Sequence, residues 1–302
     1  MSRLPFNFYQ ITVKFQSSYL NNESITSSRV FNHLKGNRDR IKQLKMEEQQ
    51  NKHPNSVQLY EVIRIIEGIP VFLEDHLDRL YHSAQLTGTN LLPDSVSLTE
   101  MIRNFIIAQK KDTGNIKLSF SFSKLTSQPH CELSFIPHYY PTPEEYTHGV
   151  KVGLLQADRP IPHAKVQNTG IRDRANQAIS DNSVFEVLLI DSEGNITEGS
   201  RSNVFFIKNE TFYSAPEETI LQGITWNKVM QLCRKAGIKV IESAIPVNTL
   251  DQYEAAFLTG TSPKALPIST IDNIGYKTNL PLLIKLQELY NQLIEDYLLR
   301  RR

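Results

Sequence analysis

The chain has 302 residues, of which 40% are hydrophobic, and this is enough for two domains of ordinary size. The 33 Lys and Arg residues nearly balance the 32 Asp and Glu residues, and the formal net charge of +1 excludes the strongly basic surface of a dedicated nucleic-acid binder. No apolar run is long enough to cross a membrane, and the first residues alternate like a strand rather than a signal peptide. We therefore expect a cytoplasmic globular protein.

The cysteines indicate the same compartment. Cys131 and Cys233 are the two cysteines in the chain, and their spacing matches no metal-binding or redox motif. This pattern predicts buried thiols in a reducing environment, without a disulfide framework or a metal site.

The first half of the chain predicts a mixed α+β unit. Alternating or short apolar runs predict strands, and apolar residues at helical spacing predict helices. The predicted strands cover residues 8–15, 58–66, 69–73, 116–122 and 132–136, and the predicted helices cover 76–87 and 98–110.

Two polar segments interrupt this pattern. The charge-dense segment 35–52, KGNRDRIKQLKMEEQQNK, is typical of a surface helix or loop. The segment 138–149, HYYPTPEEYTHG, contains two prolines and predicts a linker. We therefore expect a smaller α+β domain at residues 1–140 and a larger domain at residues 141–302.

The second half predicts alternating strands and helices that end in a long helix. The predicted strands cover residues 150–155, 187–190, 204–207, 239–243 and 255–258, and the predicted helices cover 171–180, 223–237 and a segment that starts at Pro281. The last helix is expected to pack through one apolar face, formed by Leu282, Leu286, Leu289, Leu293 and Tyr297.

One acid in this half is set among small polar residues. Glu198 lies in GNITEGSRSNVFFIK, between two apolar segments, and the turn at 191–195 is expected to place it just beyond a β-hairpin. Burying a lone carboxylate costs several kcal/mol unless a cation or a polar ligand compensates. Glu198 is therefore either an exposed strand-end residue or part of a binding site, and this segment alone leaves both open.

Other segments contain groups that could bind an anion. Ile224 and Thr225, which follow Gly223, begin a helix and offer free N–H groups, a hydroxyl and the positive end of the helix dipole. Thr261 lies in a polar turn after a buried strand. Arg79 lies beside the apolar face of a helix and could reach an anion or extend into solvent. Ordinary capping or solvation would explain each of these residues taken singly.

Five segments in order, EGIPVFLEDHLDRL, AKVQN, ITEGSRSNVFFIK, LQGIT and AFLTGTSPKALPI, resemble the fold-type IV pyridoxal-phosphate enzymes. This family contains branched-chain and D-amino-acid aminotransferases and aminodeoxychorismate lyase. The resemblance covers residues 59–272 and implies a two-domain α+β fold with pyridoxal 5′-phosphate between the domains. It also implies a homodimer whose active sites lie near the subunit interface.

The resemblance assigns roles to individual residues. Lys165 matches the family lysine that forms a Schiff base with the cofactor and moves the substrate proton. Glu198 matches the acid that keeps the pyridine nitrogen protonated, so that the ring accepts electrons. Asn203 is expected to support the loop. The residues that match the phosphate-binding set are Arg79, Ile224, Thr225 and Thr261.

The substrate side of the motif departs from the family. D-amino-acid aminotransferases have an arginine and a histidine near the end of the strand predicted at 116–122, where they hold the substrate carboxylate, and here Phe122 stands at about the arginine position. The tyrosine that follows the lysine in branched-chain enzymes is replaced by Thr169 and Gly170. Lys117 or Lys124 could supply a cation or be solvated. The substrate is therefore not identified.

The resemblance implies a class IV aminotransferase that transfers an amino group between an amino acid and a 2-oxo acid through an aldimine on Lys165. An alternative is aminodeoxychorismate lyase, which releases pyruvate and 4-aminobenzoate. A further alternative is a pyridoxal-phosphate-binding homologue without catalytic activity. The expected partners are small amino acids and 2-oxo acids, with no nucleic acid and no membrane.

Overall fold

The computed structural model describes residues 11–13, 57–89, 91–122, 129–167 and 169–302. The segment 35–52 and Lys124 lie outside these residues. Of the strand predicted at 8–15, the structure describes residues 11–13, and these form a strand.

The first half forms a sheet of five strands covered by two helices. The strands are β1 (Ile11–Val13), β2 (Val57–Ile66), β3 (Ile69–Pro70), β4 (Gly114–Phe122) and β5 (His130–Ile136). Their order is β1-β5-β4-β2-β3, with β4 antiparallel to both β2 and β5, and β1 parallel to β5. Apolar side chains of β2, β4 and β5 form one core with helices α1 (Leu73–Leu86) and α2 (Ser95–Gln109).

The predicted strand at 69–73 is wrong in its second half. β3 ends at Pro70, and Phe72 takes a left-handed backbone conformation with φ of 55° directly before Leu73 begins α1. The apolar run 71–73 therefore makes a turn and the first residue of a helix. Its side chains are still buried, which is why the run has the composition of a buried strand.

The predicted linker contains a short helix, α3 (Pro143–His148). Thr142 begins it with a capping box, in which the Thr142 hydroxyl accepts from the Glu145 N–H at 3.3 Å and the Glu145 carboxylate accepts from the Thr142 N–H at 2.8 Å. Strands before this helix belong to the first sheet and strands after it belong to the second.

The second half forms a nine-stranded mixed sheet. Its strands are β6 (Val150–Gln156), β7 (Glu186–Ile190), β8 (Ile196–Gly199), β9 (Asn203–Lys208), β10 (Thr211–Ser214), β11 (Val240–Glu242), β12 (Ala255–Gly260), β13 (Lys264–Ile271) and β14 (Ile274–Gly275). The order is β11-β10-β9-β12-β13-β6-β7-β8, and β14 pairs with β13. The interior strands β9 and β12 are almost wholly buried, as their continuous apolar sequences require.

The position predicted for Glu198 is wrong by one strand. β8 pairs antiparallel with β7, so Glu198 lies within the second strand of the hairpin and not beyond it. The four-residue sequence ITEG has too few apolar residues for its periodicity to reveal a strand.

Three helices cover the larger sheet or connect its strands: α4 (Thr169–Asn182), α5 (Ile224–Ala236) and α6 (Pro281–Leu299). The predicted apolar face of α6 is partly wrong. Leu286 and Tyr297 are buried as predicted, but Leu282, Leu289 and Leu293 are only half-buried. The fully packed stripe also contains Leu283, Tyr290 and Ile294.

An aromatic cluster explains why the buried face of α6 is rotated about the helix axis from the predicted face. Phe72 packs edge-on against Tyr297, with ring centroids 5.0 Å apart, and against Tyr290 at 6.4 Å. The hydroxyl of Tyr297 also accepts a hydrogen bond from the Leu73 N–H at 3.2 Å. The last helix of the chain therefore packs directly against the start of α1.

Both cysteines are free and buried, as predicted, and burial raises the pKa of each thiol to about 12. In the part of the chain that the structure describes, no helix has the length and apolar character needed to span a membrane.

Candidate active site

A cavity of about 770 Å³ is lined by residues of both sheets. Six residues singled out in the sequence meet there although they are distributed over most of the chain. They are Arg79, Lys165, Glu198, Ile224, Thr225 and Thr261.

Lys165 is fixed by backbone contacts to the first sheet and its helix. The Tyr60 N–H donates to the carbonyl of Lys165 at 3.1 Å, and the Lys165 N–H donates to the hydroxyl of Ser83 in α1 at 3.0 Å. The next residue, Val166, forms a β-bridge with Leu59. The segment that carries the lysine is therefore held against β2, and the lysine Nζ lies 5.2 Å from the centre of the Tyr60 ring.

The amine of Lys165 is in an environment that favours its neutral form. Burial lowers the pKa of Lys165, and the cations of Arg79 and Arg159 lower it further, against the opposing influence of Tyr60 and Glu61. A lysine of lowered pKa has a larger fraction of the unprotonated amine, which is the nucleophilic form.

Glu198 is buried, which resolves the alternatives left open by its sequence. It is 2% exposed, and its Oε2 accepts from the Leu221 N–H at 3.3 Å. Its Oε1 lies 2.5 Å from Nε of Arg159, although the two groups are not aligned for a hydrogen bond. Burial raises the pKa of Glu198, and this effect outweighs the opposing attraction of Arg159 and Lys165.

The Ser-Arg-Ser segment that follows Glu198 binds a second buried carboxylate, Glu186. The hydroxyl of Ser200 donates to Glu186 Oε1 at 2.7 Å, and the Arg201 N–H and Ser202 hydroxyl donate to Oε2 at 3.2 and 3.3 Å. These bonds fix the loop between β8 and β9 and hence the end of β8. The one feature of the sequence that points to this contact is the position of Glu186, an acid at the start of the apolar strand β7.

Arg79 is oriented by a buried triad. Its Nε and Nη2 donate to the carboxylate of Glu61 at 2.9 and 2.6 Å, and His76 Nδ1 lies 2.7 Å from the same carboxylate. Burial alone would raise the pKa of Glu61, but Arg79 and His76 outweigh it and lower the pKa to about 2. The remaining nitrogen of Arg79 reaches the carbonyl of Gln222 at 3.5 Å, next to the start of α5.

The start of α5 presents backbone donors to the cavity. Gly223 precedes the helix, and no side chain from the described part of the chain caps it, so the first N–H groups, including those of Ile224 and Thr225, are free to bind an anion. Asn203 supports this turn by donating to the carbonyl of Leu221 at 2.8 Å. A Cβ at position 223 would clash with the Asn203 amide oxygen, so a side chain there would have to displace Asn203.

Thr261 and Thr259 complete this side of the cavity. The hydroxyl of Thr261 lies 3.5 Å from the carbonyl of Val62, which is a weak contact. The hydroxyl of Thr259 is buried without a hydrogen-bond partner among the described residues, as is Oε1 of Glu198. Buried hydroxyls rarely remain without a hydrogen bond in proteins, so Thr259 points to a polar ligand, whereas Oε1 of Glu198 already faces the Arg159 guanidinium. An acid, a lysine and an anion-binding helix start fit a phosphorylated pyridine aldehyde.

Three cavity residues that the sequence did not single out form a cluster with Lys165: Tyr60, Arg159 and Arg172. Tyr60 lies in β2, where its sequence context is that of an ordinary core residue. Burial would raise its pKa, but Lys165, Arg172 and Arg159 together lower it to about 8. This cluster could not be read from the sequence, because Tyr60 lies in β2 whereas the three cations come from residues 159–172.

The substrate side of the cavity contains one cation that the sequence had suggested. Lys117 Nζ donates to Gln167 Oε1 at 2.8 Å and lies 5.2 Å from the Tyr60 ring. Phe122, at the end of β4, is half-buried and does not line the cavity.

This fold and this cavity define a fold-type IV enzyme of amino-group chemistry. The chain belongs to the class IV aminotransferase family: residues 58–271 match the family described as amino-transferase class IV, whose members use pyridoxal phosphate.

Individual relatives agree with this assignment. The chain is 30% identical to a D-alanine aminotransferase of Bacillus licheniformis, over 79% of this chain and 88% of that protein. It is 25% identical, with a TM-score of 0.68, to the structure of a candidate 4-amino-4-deoxychorismate lyase from Legionella pneumophila, covering 78% of this chain and 90% of the other. A branched-chain aminotransferase from the archaeon Thermoproteus uzoniensis, solved with norvaline, shares the fold with a TM-score of 0.68 at 24% identity, over 80% and 88% of the two chains.

Proposed function

We propose that this enzyme is a pyridoxal-phosphate-dependent aminotransferase that moves an amino group between an amino acid and a 2-oxo acid. The observation that carries the proposal is the meeting of Lys165, Glu198, Arg79 and the start of α5 around one cavity. When bound, pyridoxal phosphate accepts the electrons of the bond that breaks at the substrate α-carbon. The residues below bind the cofactor and move the proton.

Lys165 is the residue proposed to bond covalently to the cofactor and to act as the proton carrier. Its lowered pKa increases the fraction of neutral amine, which is the form needed both for this bond and for accepting the proton from the substrate α-carbon. Its backbone contacts to β2 and α1 hold the side chain in place while the proton moves.

Glu198 is proposed to hold a proton on the pyridine nitrogen. A buried carboxylate with a raised pKa is a strong hydrogen-bond acceptor, and Oε1 has no aligned donor among the described residues. Arg159 keeps this carboxylate in place through their ion pair. Oε1 is the oxygen proposed to accept from the cofactor, and in this structure it faces the Arg159 guanidinium.

The phosphate is proposed to bind Arg79, the amides of Ile224 and Thr225, the Thr225 hydroxyl and Thr261. Arg79 supplies positive charge, and the helix start supplies N–H donors and the positive end of its dipole. The Glu61–His76 pair keeps the guanidinium oriented when no anion is present.

A second candidate function is supported by the likeness to the candidate 4-amino-4-deoxychorismate lyase. The same proton transfer from an α-carbon can lead to loss of pyruvate from aminodeoxychorismate. Assays of pyruvate release without any added 2-oxo acid separate the two functions. Release under that condition supports the lyase, and product formation that requires a 2-oxo acid supports the aminotransferase.

Further expectations concern the organisation of the whole enzyme. We propose that it is a homodimer and that its two sheets correspond to domains 1–140 and 141–302. Sedimentation at several concentrations measures the first, and limited proteolysis near residues 138–149 tests the second.

The experiment that tests the aminotransferase is cofactor uptake followed by addition of amino acids. The purified protein is expected to bind pyridoxal phosphate with a visible absorption band that decays when a suitable L- or D-amino acid is added. Restoration of the band by a 2-oxo acid would complete the exchange. A protein that binds no cofactor and gives no spectral change would contradict the proposal.

A further inference from the structure

Arg172 lines the same cavity as Lys165, but none of the roles proposed above uses it. It belongs to the first turn of α4, and its Nη2 donates to the Tyr60 hydroxyl at 3.3 Å. The other two guanidinium groups near Lys165 are engaged by acids, because Arg79 pairs with Glu61 and Arg159 pairs with Glu198.

Arg172 forms no ion pair with an acid among the described residues. It donates a hydrogen bond to a neutral phenol, and a guanidinium has five N–H donors. Asp173 also lines the cavity, but it is exposed and forms no ion pair with Arg172 in the described part of the chain. Donors of Arg172 are therefore available to an anion that enters the cavity.

The position of Arg172 relative to Lys165 fits a substrate carboxylate. Both cations face the same phenol: Lys165 Nζ lies 5.2 Å from the ring centre of Tyr60, and Arg172 contacts the hydroxyl of that ring. An amino acid that reacts at Lys165 carries its carboxylate on the carbon that bears the amine. Tyr60 and Arg172 both line the part of the cavity that such a carboxylate would enter beside Lys165.

The surroundings also favour an anion. Lys117, on β4, has its Nζ 5.2 Å from the Tyr60 ring, and Arg201 contributes a further cation to the lining of the cavity. Lys117 comes from the strand beside β2, and Arg201 comes from the loop after β8. The lowered pKa of Tyr60 is due to Lys165, Arg172 and Arg159, which outweigh the effect of burial.

We propose that Arg172, together with the Tyr60 hydroxyl, binds the carboxylate of the substrate and so restricts the enzyme to amines with a carboxylate beside the reacting carbon. Arginine suits this role because its planar donors match the two oxygens of a carboxylate. The proposed cation comes from helix α4. D-amino-acid aminotransferases have an arginine near the end of the strand that corresponds to β4, and this chain has Phe122 there. This inference rests on the proposed aminotransferase function.

The test compares two substrates that differ only in the carboxylate: alanine in its reactive enantiomer and ethylamine. The variant Arg172→Leu is expected to raise the half-saturation concentration for alanine roughly 10- to 100-fold, measured by decay of the cofactor band, while the slow decay with excess ethylamine keeps its wild-type rate. Arg172→Lys should recover part of the affinity because it restores the charge without the planar donors.

Arg174→Leu is the matched control. Arg174 lies on the same helix, is exposed, donates to the Gln156 carbonyl at 3.3 Å and does not line the cavity. This variant should bind both substrates like the wild type. If Arg172→Leu impaired the reactions with alanine and with ethylamine equally, or impaired neither reaction, the proposal would be overturned.

A second readout uses the cofactor-free protein. The ultraviolet difference titration between the wild type and Tyr60→Phe isolates Tyr60, and Arg172→Leu should raise its pKa while Arg174→Leu should not. An unchanged pKa would overturn the contact on which the proposal stands. Failure of the wild type to bind cofactor would overturn the aminotransferase function itself, whereas normal cofactor binding with a negative Arg172 result would overturn this inference alone.

Discussion

Single residues in this enzyme derive their chemistry from burial together with a specific partner. Glu61, Glu186 and Glu198 are all buried, but Glu61 pairs with Arg79, hydrogen-bonds His76 and has a lowered pKa, whereas burial raises the pKa of Glu198. The sequence predicted a special role for Glu198 through the motif around it. It did not predict Glu61 or Glu186, because their partners lie on other elements and leave no local pattern.

The first residue-scale prediction concerns Glu198→Gln. The amide keeps the shape of the side chain but removes the charge that is proposed to hold the pyridine proton. We expect kcat to fall by roughly 10²-fold or more while the cofactor remains bound. Glu193→Gln, in the exposed turn before β8, is the control and should retain full activity. A kcat for Glu198→Gln within twofold of the wild type would contradict the assigned role.

The second residue-scale prediction concerns the dependence of the free energy of unfolding on pH. The folded-state pKa of Glu61 is about 2 and its ordinary value is 4.5, so its stabilising contribution is present above pH 4.5 and is lost as pH falls toward 2. The full contribution is on the order of 3 kcal/mol. The lowered pKa of His76 adds a loss of stability as pH falls below 6.5, because the buried ring resists protonation.

Urea denaturation at a series of pH values measures this effect. The wild type should lose stability more steeply below pH 4.5 than Glu61→Gln, whose curve lacks this contribution. Glu100→Gln changes an exposed acid on α2 and should follow the wild type. Parallel curves for the wild type and Glu61→Gln would refute the interpretation of the triad.

At the scale of elements, the helices were predicted best where their ends have chemical signals. Gly223 and Gly237 delimited α5 in the sequence, and the helix occupies the residues between them. β8 was missed because it is short and polar, and the residues 71–73 were assigned to a strand because burial gives helices and strands similar apolar runs. Tertiary contacts decided both cases.

The start of α5 gives a prediction for an element. In Gly223→Ala the new Cβ would clash with the Asn203 amide oxygen and displace the turn that presents the Ile224 and Thr225 amides. We expect cofactor affinity to fall at least tenfold, measured by equilibrium dialysis of pyridoxal phosphate. Gly275→Ala is the control because its Cβ would meet no atom within 4 Å. Equal affinity in the two variants would show that the turn tolerates a side chain.

At the scale of the whole molecule, distant segments assemble the cavity and the packing around it. Five sequence segments allowed its cofactor side to be predicted, because each has a recognisable local motif. The Tyr60–Arg172 pair joins residues that are 112 positions apart and could be found only in the folded chain.

The packing of α6 on the start of α1 gives a prediction at this scale. Tyr297 packs on Phe72 and hydrogen-bonds the Leu73 N–H, so Tyr297→Ala should lower the free energy of unfolding by about 3–5 kcal/mol. Thermal and urea denaturation measure the change. Leu299→Ala removes an exposed side chain from the same helix and should cost less than about 1 kcal/mol. Similar losses in both variants would contradict a specific role for Tyr297.

The central claim is that Lys165 is the lysine that binds the cofactor. Borohydride reduction of the cofactor-loaded protein, followed by proteolysis and mass spectrometry, identifies the modified residue directly. The account predicts a reduced pyridoxyl group on the peptide that contains Lys165 and none in Lys165→Ala. A stable pyridoxyl group on a different lysine, or none on any peptide, would contradict it.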